Sequence, residues 1–143
     1  MHIALATTGI EITRCFPVMA QLRTQLSAEQ FIQQVKRQQQ EGYQLAFLED
    51  AGEIRSLAGF RIMEMLAFGK LMYVDDLITA NNDRSKKYGG NLFDWLVEHA
   101  KTNGCVQLHL DSGVHRFSAH RFYLTKRMEI SSHHFSLKLD STS

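Results

Sequence analysis

The chain has 143 residues, 44% of them hydrophobic and 22% charged, with a formal net charge of +1. That length suits one domain burying roughly two-thirds of its unfolded surface. The near-neutral charge removes any broad electrostatic case for nucleic acid, and no apolar run approaches the ~20 residues that span a bilayer. Two cysteines, Cys15 and Cys105, stand far apart without a CxxC partner. A reducing, cytoplasmic setting is therefore expected, with both as small packed residues. No basic region precedes the short apolar run at the N-terminus, so no secretory signal is expected.

Residues 3–16 read as an opening strand with a bend at Gly9, and Pro17 as the stop that starts a short helix over 18–26. Ser27, followed three residues later by Gln30, has the capping-box form. The helix after it carries Phe31, Ile32 and Val35 on one side, with Gln33, Lys36, Arg37 and Gln40 largely on the other, and ends at Gly42. Residues 43–48 read as a strand, 49–53 as a turn and 54–66 as a longer strand. Gly69 turns the chain into a strand over 71–79, which makes an antiparallel hairpin. Asn81, Asn82 and Asp83 break the pattern. The next helix, over 89–102, buries Leu92, Phe93, Leu96, Val97 and Ala100 and ends near Asn103 and Gly104. Residues 105–110 alternate, with Val106, Leu108 and Leu110 on one face. A short helix opens at Ser118 or Ala119 and runs through Lys126. Residues 128–139 read as a final strand and 140–143 as a frayed tail.

There is no internal repeat and no dividing linker, so residues 1–143 are expected to form a single domain. The order predicts an α+β fold (mixed α/β) built on a central mixed sheet. The sheet is mostly antiparallel, and the helix over 89–102 crosses between two parallel neighbours, 71–79 and 105–110.

The segment Arg84-Ser85-Lys86-Lys87-Tyr88-Gly89-Gly90 lies between the strand 71–79 and that helix. A glycine-containing turn at a helix start leaves backbone N–H groups unpaired, and those amides with the positive helix end favour a phosphate or pyrophosphate. Arg84, Lys86 and Lys87 add positive charge at the rim.

The element order and three local matches resemble the GNAT superfamily of acetyl-CoA-dependent N-acetyltransferases. That family's phosphate turn has the form Arg/Gln-x-x-Gly-x-Gly/Ala. Arg84 and Gly89 fit it, whereas Lys87 stands where the first glycine is expected. Ala119-His120-Arg121-Phe122-Tyr123 is similar to the family's Ala-x-x-Phe/Leu-Tyr, although Arg127-Met128 follows where Gly-Phe is usual. The third match is the strand ending Asp76-Leu77-Ile78-Thr79 directly before the turn.

The resemblance implies helices on both faces of the sheet and a splay between strands 71–79 and 105–110 at their C-terminal ends. It implies that pantetheine pairs with the backbone of Leu77, Ile78 and Thr79, and that Arg84, Ser85, Lys86, Lys87, Tyr88, Gly89 and Gly90 hold the pyrophosphate. It also implies that Tyr123 protonates the departing CoA thiolate. Strand amides near Leu77 are placed to polarise the thioester carbonyl.

Asp76, beside that backbone, is the preferred general base, with Asp75, Glu64, Asp111 and an ordered water as the alternatives. On a regular strand Asp75 and Asp76 face opposite sides and cannot act as a close pair. Seven histidines are present, but His115 with His120 and His133 with His134 lack ligand spacing, so no metal is expected.

The expected activity is transfer of an acetyl group from acetyl-CoA to a primary amine. The alternative is a CoA- or acyl-CoA-binding sensor of the same fold without turnover. The expected partners are acetyl-CoA and an amine acceptor, with a homodimer as a further assembly and neither nucleic acid nor membrane.

Overall fold

Thr8 decides where the first helix begins. Its hydroxyl accepts from the Glu11 amide at 3.2 Å, and the Glu11 carboxylate accepts from the Thr8 amide at 3.0 Å, a reciprocal box that satisfies two otherwise unpaired donors. In this computed structural model, which describes residues 1–83 and 86–140, strand β1 is only His2–Leu5 and helix α1 occupies Gly9–Leu22. The expected strand over 3–16 and helix over 18–26 are therefore corrected. Ile12, Cys15 and Met19 are buried at helical spacing. The β-branched Ile10, Ile12 and Thr13, followed by Pro17, imitate a strand and its stop. Pro17 instead sits inside α1, where it removes the donor that would reach the Thr13 carbonyl.

Helix α2, Ala28–Gln39, starts as expected, with Ser27 and Gln30 forming a second reciprocal box. Strands β2 (Tyr43–Asp50), β3 (Glu53–Met65) and β4 (Gly69–Thr79) follow. A 3₁₀ turn at Asn81–Asp83 and helix α3, Tyr88–Thr102, lead to strand β5, Gln107–Leu110. The five strands lie in the order β1-β2-β3-β4-β5. Every pairing is antiparallel except β4 with β5, which run parallel from Leu71↔Gln107 to Val74↔Leu110. This is the predicted mixed sheet.

Period-two alternation along β2 splits the core between the two faces. Tyr43, Leu45 and Phe47 pack with Ile12, Cys15, Met19, Phe31 and Val35 of α1 and α2. Ala46 and Leu48 pack with Leu92, Leu96 and Ala100 of α3. Helices thus cover both faces of the sheet, and β4 is sandwiched between the two cores.

Residues 1–110 form one compact unit and the segment from Asp111 onward another. The second unit contains helix α4, Phe117–Thr125. His120 Nε2 lies 2.8 Å from the Gly113 carbonyl oxygen, which ties α4 to the loop before it. The expected final strand over 128–139 is corrected: residues 128–140 have no strand structure. Phe135, Leu137 and Leu139 supply a strand's alternation but are 92%, 83% and 89% exposed. Alternation alone does not make a strand; a paired neighbour is also needed. No helix among the described residues is long and apolar enough to cross a membrane.

Candidate active site

The pairing of β3 with β4 contains the feature that organises the site. Gly59 faces Asp76, while the next residue, Phe60, faces Val74. Asp75 is therefore an extra residue in β4, a β-bulge that bends the strand and re-aims side chains. Both Asp75 and Asp76 consequently line one pocket with Tyr43, Arg23 and Arg61. This corrects the expectation that the two aspartates lie on opposite sides, which assumed an unbroken strand.

Each aspartate has its own cation. Asp76 Oδ1 accepts from Arg23 Nε at 2.9 Å and ion-pairs with the Arg23 guanidinium at the same distance, while Oδ2 accepts from the Tyr43 hydroxyl at 2.7 Å. Arg23 also donates to the Asp75 carbonyl oxygen at 2.9 Å. Asp75 accepts from Arg61 Nε at 2.9 and 3.3 Å, and the Arg61 guanidinium lies 5.6 Å above the Tyr43 ring. Burial pushes the Asp75 carboxyl above its ordinary range, with Arg61 pulling it back. Burial and the Asp76 charge push the Tyr43 phenol well up, so at neutral pH it remains a donor to Asp76.

Gly59 makes this arrangement sterically feasible. A Cβ there would overlap the Tyr43 hydroxyl and stand 2.6 Å from Asp76 Oδ2. Sequence reasoning missed Tyr43, Arg23 and Arg61. The available signal was Gly59 itself, since a glycine inside a strand marks a bulge or a close approach.

The other end of β4 is built differently. Pairing with β5 stops at Val74↔Leu110, whereas β4 continues through Leu77, Ile78 and Thr79, paired only with Ala58, Leu57 and Ser56 of β3. Arg84 and Ser85 lie outside the described residues. Lys86 is exposed, with its ammonium 3.5 Å from Asp83. Lys87 is the N-cap of α3 and adopts a left-handed conformation, φ 65° and ψ 12°. It has no capping side chain, and the first turn of α3 carries no acid. Gly89 permits the approach of α3 to β4: a Cβ there would be 2.8 Å from Thr79 Oγ1.

Neighbouring groups brace the turn. Tyr88 donates to Asp50 at 2.7 Å, a bond that holds the Asp50 carboxyl below its usual value. Arg55 donates to the Asp50 carbonyl oxygen at 3.0 Å and ion-pairs with the buried Asp83 at 3.4 Å.

Tyr123 is partly buried on α4, and burial raises its phenol, with the Arg116 charge acting in the opposite direction. A raised phenol keeps its proton at neutral pH. Arg127, where the family pattern has glycine, is left-handed at φ 67°. Glu64 is exposed near the end of β3, paired opposite Lys70, and does not line the pocket of Asp75 and Asp76; Asp111 lies 3.4 Å from His134. Cys15 is fully buried and its thiol is pushed up to about 12 by burial, so it is not a nucleophile at neutral pH. No group of three or more His, Cys, Asp or Glu among the described residues is placed to hold a metal ion.

This arrangement, a mixed sheet whose one parallel pair is joined by helix α3, was compared with known proteins. The family model described as Acetyltransferase (GNAT) family matches residues 10–128. The uncharacterized N-acetyltransferase YhdJ of Bacillus subtilis (strain 168) is 34% identical over 127 residues, 88% of this chain and 89% of that protein. Among solved structures, the ribosomal-protein-alanine N-acetyltransferase from Brucella melitensis biovar Abortus 2308 superposes with a TM-score of 0.83 at 14% identity, covering 97% of this chain and 100% of its own. Glucosamine-6-phosphate N-acetyltransferase from Arabidopsis thaliana gives 0.74 at 20% identity, with 98% and 100% covered. At those identities the two structures show the common fold alone. The family match and the Bacillus relative show that this chain belongs to the GNAT acetyltransferase family.

Proposed function

We propose that the chain, acting as a single acetyltransferase domain over 1–143, moves an acetyl group from acetyl-CoA to a primary amine by direct attack. The observation that carries this reading is the course of β4. Among the described residues its edge beyond Val74 has no strand partner on the β5 side, and it leads into a helix start without a capping side chain. Leu77, Ile78 and Thr79 would pair with the extended amide chain of pantetheine as an added strand. The backbone of Lys86, Lys87, Tyr88, Gly89 and Gly90, with Arg84 and Ser85, would hold the pyrophosphate. The fit is supported by Gly89, whose missing Cβ keeps α3 against Thr79.

Asp76 is proposed to take the amine proton. Of the roughly four lone-pair sites on a carboxylate, two on Oδ1 face Arg23 and one on Oδ2 faces Tyr43, which leaves one for the acceptor. Tyr123 is proposed to return a proton to the CoA sulfur. The amine nitrogen then bonds to the acetyl carbon, the carbon–sulfur bond breaks, and CoA leaves as the thiol. No metal and no acyl-cysteine take part. A cytoplasmic setting and a homodimer complete the proposal.

The competing sensor reading drew on the two basic residues at expected glycine positions. Lys87 and Arg127 both hold left-handed backbone, the conformation for which glycine is usually needed. A lysine at 87 that holds this conformation supports the turnover reading over the sensor. The test is acetyl-CoA turnover over an amine panel, read as free thiol, beside calorimetric titration of CoA. Thiol release that survives chelator and Cys105→Ser is expected, and Tyr123→Phe should lower turnover about 10- to 10⁴-fold with CoA affinity little changed. CoA binding without turnover of any amine would instead establish the sensor.

A further inference from the structure

The pocket around the β4 bulge has a charge composition that selects among amines. Its volume is about 220 Å³. Its apolar wall is Met19, Leu26, Phe31 and Val35, and its charged groups are Arg23, Arg61, Asp75 and Asp76. Two cations balance two anions. A polyamine would find no net negative charge there, and a polyanion no net positive charge.

The hydrogen-bond donors are not balanced in the same way. A guanidinium has five N–H donors arranged along two bidentate edges. Arg61 spends only its Nε on Asp75, and neither terminal nitrogen has an acceptor among the described residues. Arg23 spends Nε and one terminal nitrogen on Asp76 and the Asp75 carbonyl, and its other terminal nitrogen likewise has none. The side chains are held in place nonetheless, Arg61 by Asp75 and the Tyr43 ring, Arg23 by Asp76. Fixed guanidinium edges with unspent donors match a carboxylate in shape and charge. Beside them, the remaining lone pair of Asp76 and the half-buried Asp75 suit an ammonium group.

We propose that the acceptor is a small zwitterion, an amine that carries its own carboxylate. Arg61, helped by Arg23, holds the carboxylate and turns the amine toward Asp76. This inference rests on the acetyl-transfer reading above and names the substrate class of that same site.

The test measures thiol release from acetyl-CoA with each of the standard amino acids beside the amine obtained by removing its α-carboxylate. At least one amino acid is expected to exceed its decarboxylated partner in kcat/KM by about 100-fold, the upper end for a specific charge-assisted pair. Arg61→Gln should shrink that ratio about tenfold or more, and Arg61→Lys, which keeps the charge and loses the fork, should give an intermediate ratio. Far-ultraviolet circular dichroism checks that each variant folds. Decarboxylated amines turned over as well as their amino acids, or a ratio unmoved by Arg61→Gln, would overturn the inference and leave acetyl transfer standing. Bound CoA with no amino acid turned over would also count against it. No CoA binding and no thiol release would defeat the acetyl-transfer reading itself.

Discussion

Two regions of β4 solve their tasks by opposite means. The bulge at Asp75 and Asp76 builds its pocket from side chains: two carboxylates, two guanidiniums and a phenol, each fixed by another. The turn after Thr79 is built from backbone: a left-handed N-cap, a glycine close to Thr79 and a helix start without a capping side chain. By contrast, α1 and α2 both close their N-termini with capping boxes. A cofactor turn made of backbone, as proposed, would accept Lys87 where the family pattern has glycine, provided the residue can hold the same torsions. A site made of interlocked charges does not tolerate exchange of its members in that way, since removing one leaves its partner's charge poorly compensated.

The largest effect should therefore come from the bulge. Asp76→Asn removes the proposed base and the charge facing Arg23, and turnover should fall about 10²- to 10⁴-fold. The loss should be greatest at low pH, where the amine arrives protonated and most needs a base. A pH–rate profile unchanged by Asp76→Asn would move the role to Asp75 or to an ordered water. Gly59→Ala should come next. Its methyl group would displace Tyr43 and Asp76 together, costing about 1–3 kcal/mol as over-packing does and raising the KM for the acceptor while CoA affinity holds. Thermal unfolding and calorimetry separate the two readouts; a weakened CoA site in Gly59→Ala would show that the regions are not independent.

Much of the architecture was legible because its signals are local. The Ser27 to Gln30 box, the hairpin glycine at Gly69, the α3 face of Leu92, Phe93, Leu96 and Ala100, and the parallel crossover all emerged as read, while Val97, expected on that face, is only partly buried. The failures have physical causes. Thr8 and Glu11 carry the same box as Ser27 and Gln30, but Pro17 and the β-branched residues ahead of it outweighed that signal. Residues 135–139 alternate as a strand does, yet pairing is a property of the neighbour and is not written in the segment. The bulge was hidden for a similar reason. Asp75 is itself the unmatched residue, lying opposite the step from Gly59 to Phe60, and that register detail is set across two strands. Arg23 and Arg61 were missed because each becomes a site residue only through that bulge.

Smaller effects should come from the backbone site. Gly89→Val would press against Thr79 Oγ1, itself 3.2 Å from Ser56 Oγ, and push α3 away from β4. CoA affinity should fall about tenfold or more, ~1.4 kcal/mol or above, with acceptor discrimination unaltered. Unchanged CoA affinity in a folded Gly89→Val protein would remove the turn from the cofactor site.

The smallest change should come from Lys87, and it separates shape from charge. At φ 65° a non-glycine residue carries roughly 1–2 kcal/mol of left-handed strain, while a glycine there gives back about 0.5–1 kcal/mol through the freedom of the unfolded chain. Lys87→Gly should therefore gain up to about 1 kcal/mol and raise Tm by about 2–5 °C. Lys87→Ala keeps the strain and loses the same charge, so its stability should stay close to that of the parent. If backbone alone makes the cradle, both variants should bind CoA within about threefold of the parent, which is under ~0.7 kcal/mol. If the Lys87 ammonium also meets a CoA phosphate, both should lose affinity equally, and the loss should shrink as salt is added, because exposed charge pairs are screened over about 8–10 Å. A loss in Lys87→Ala that Lys87→Gly does not share would mean that the left-handed turn is held by the lysine stem rather than by the fold around it, and the contrast between the two regions of β4 would then fail at its backbone end.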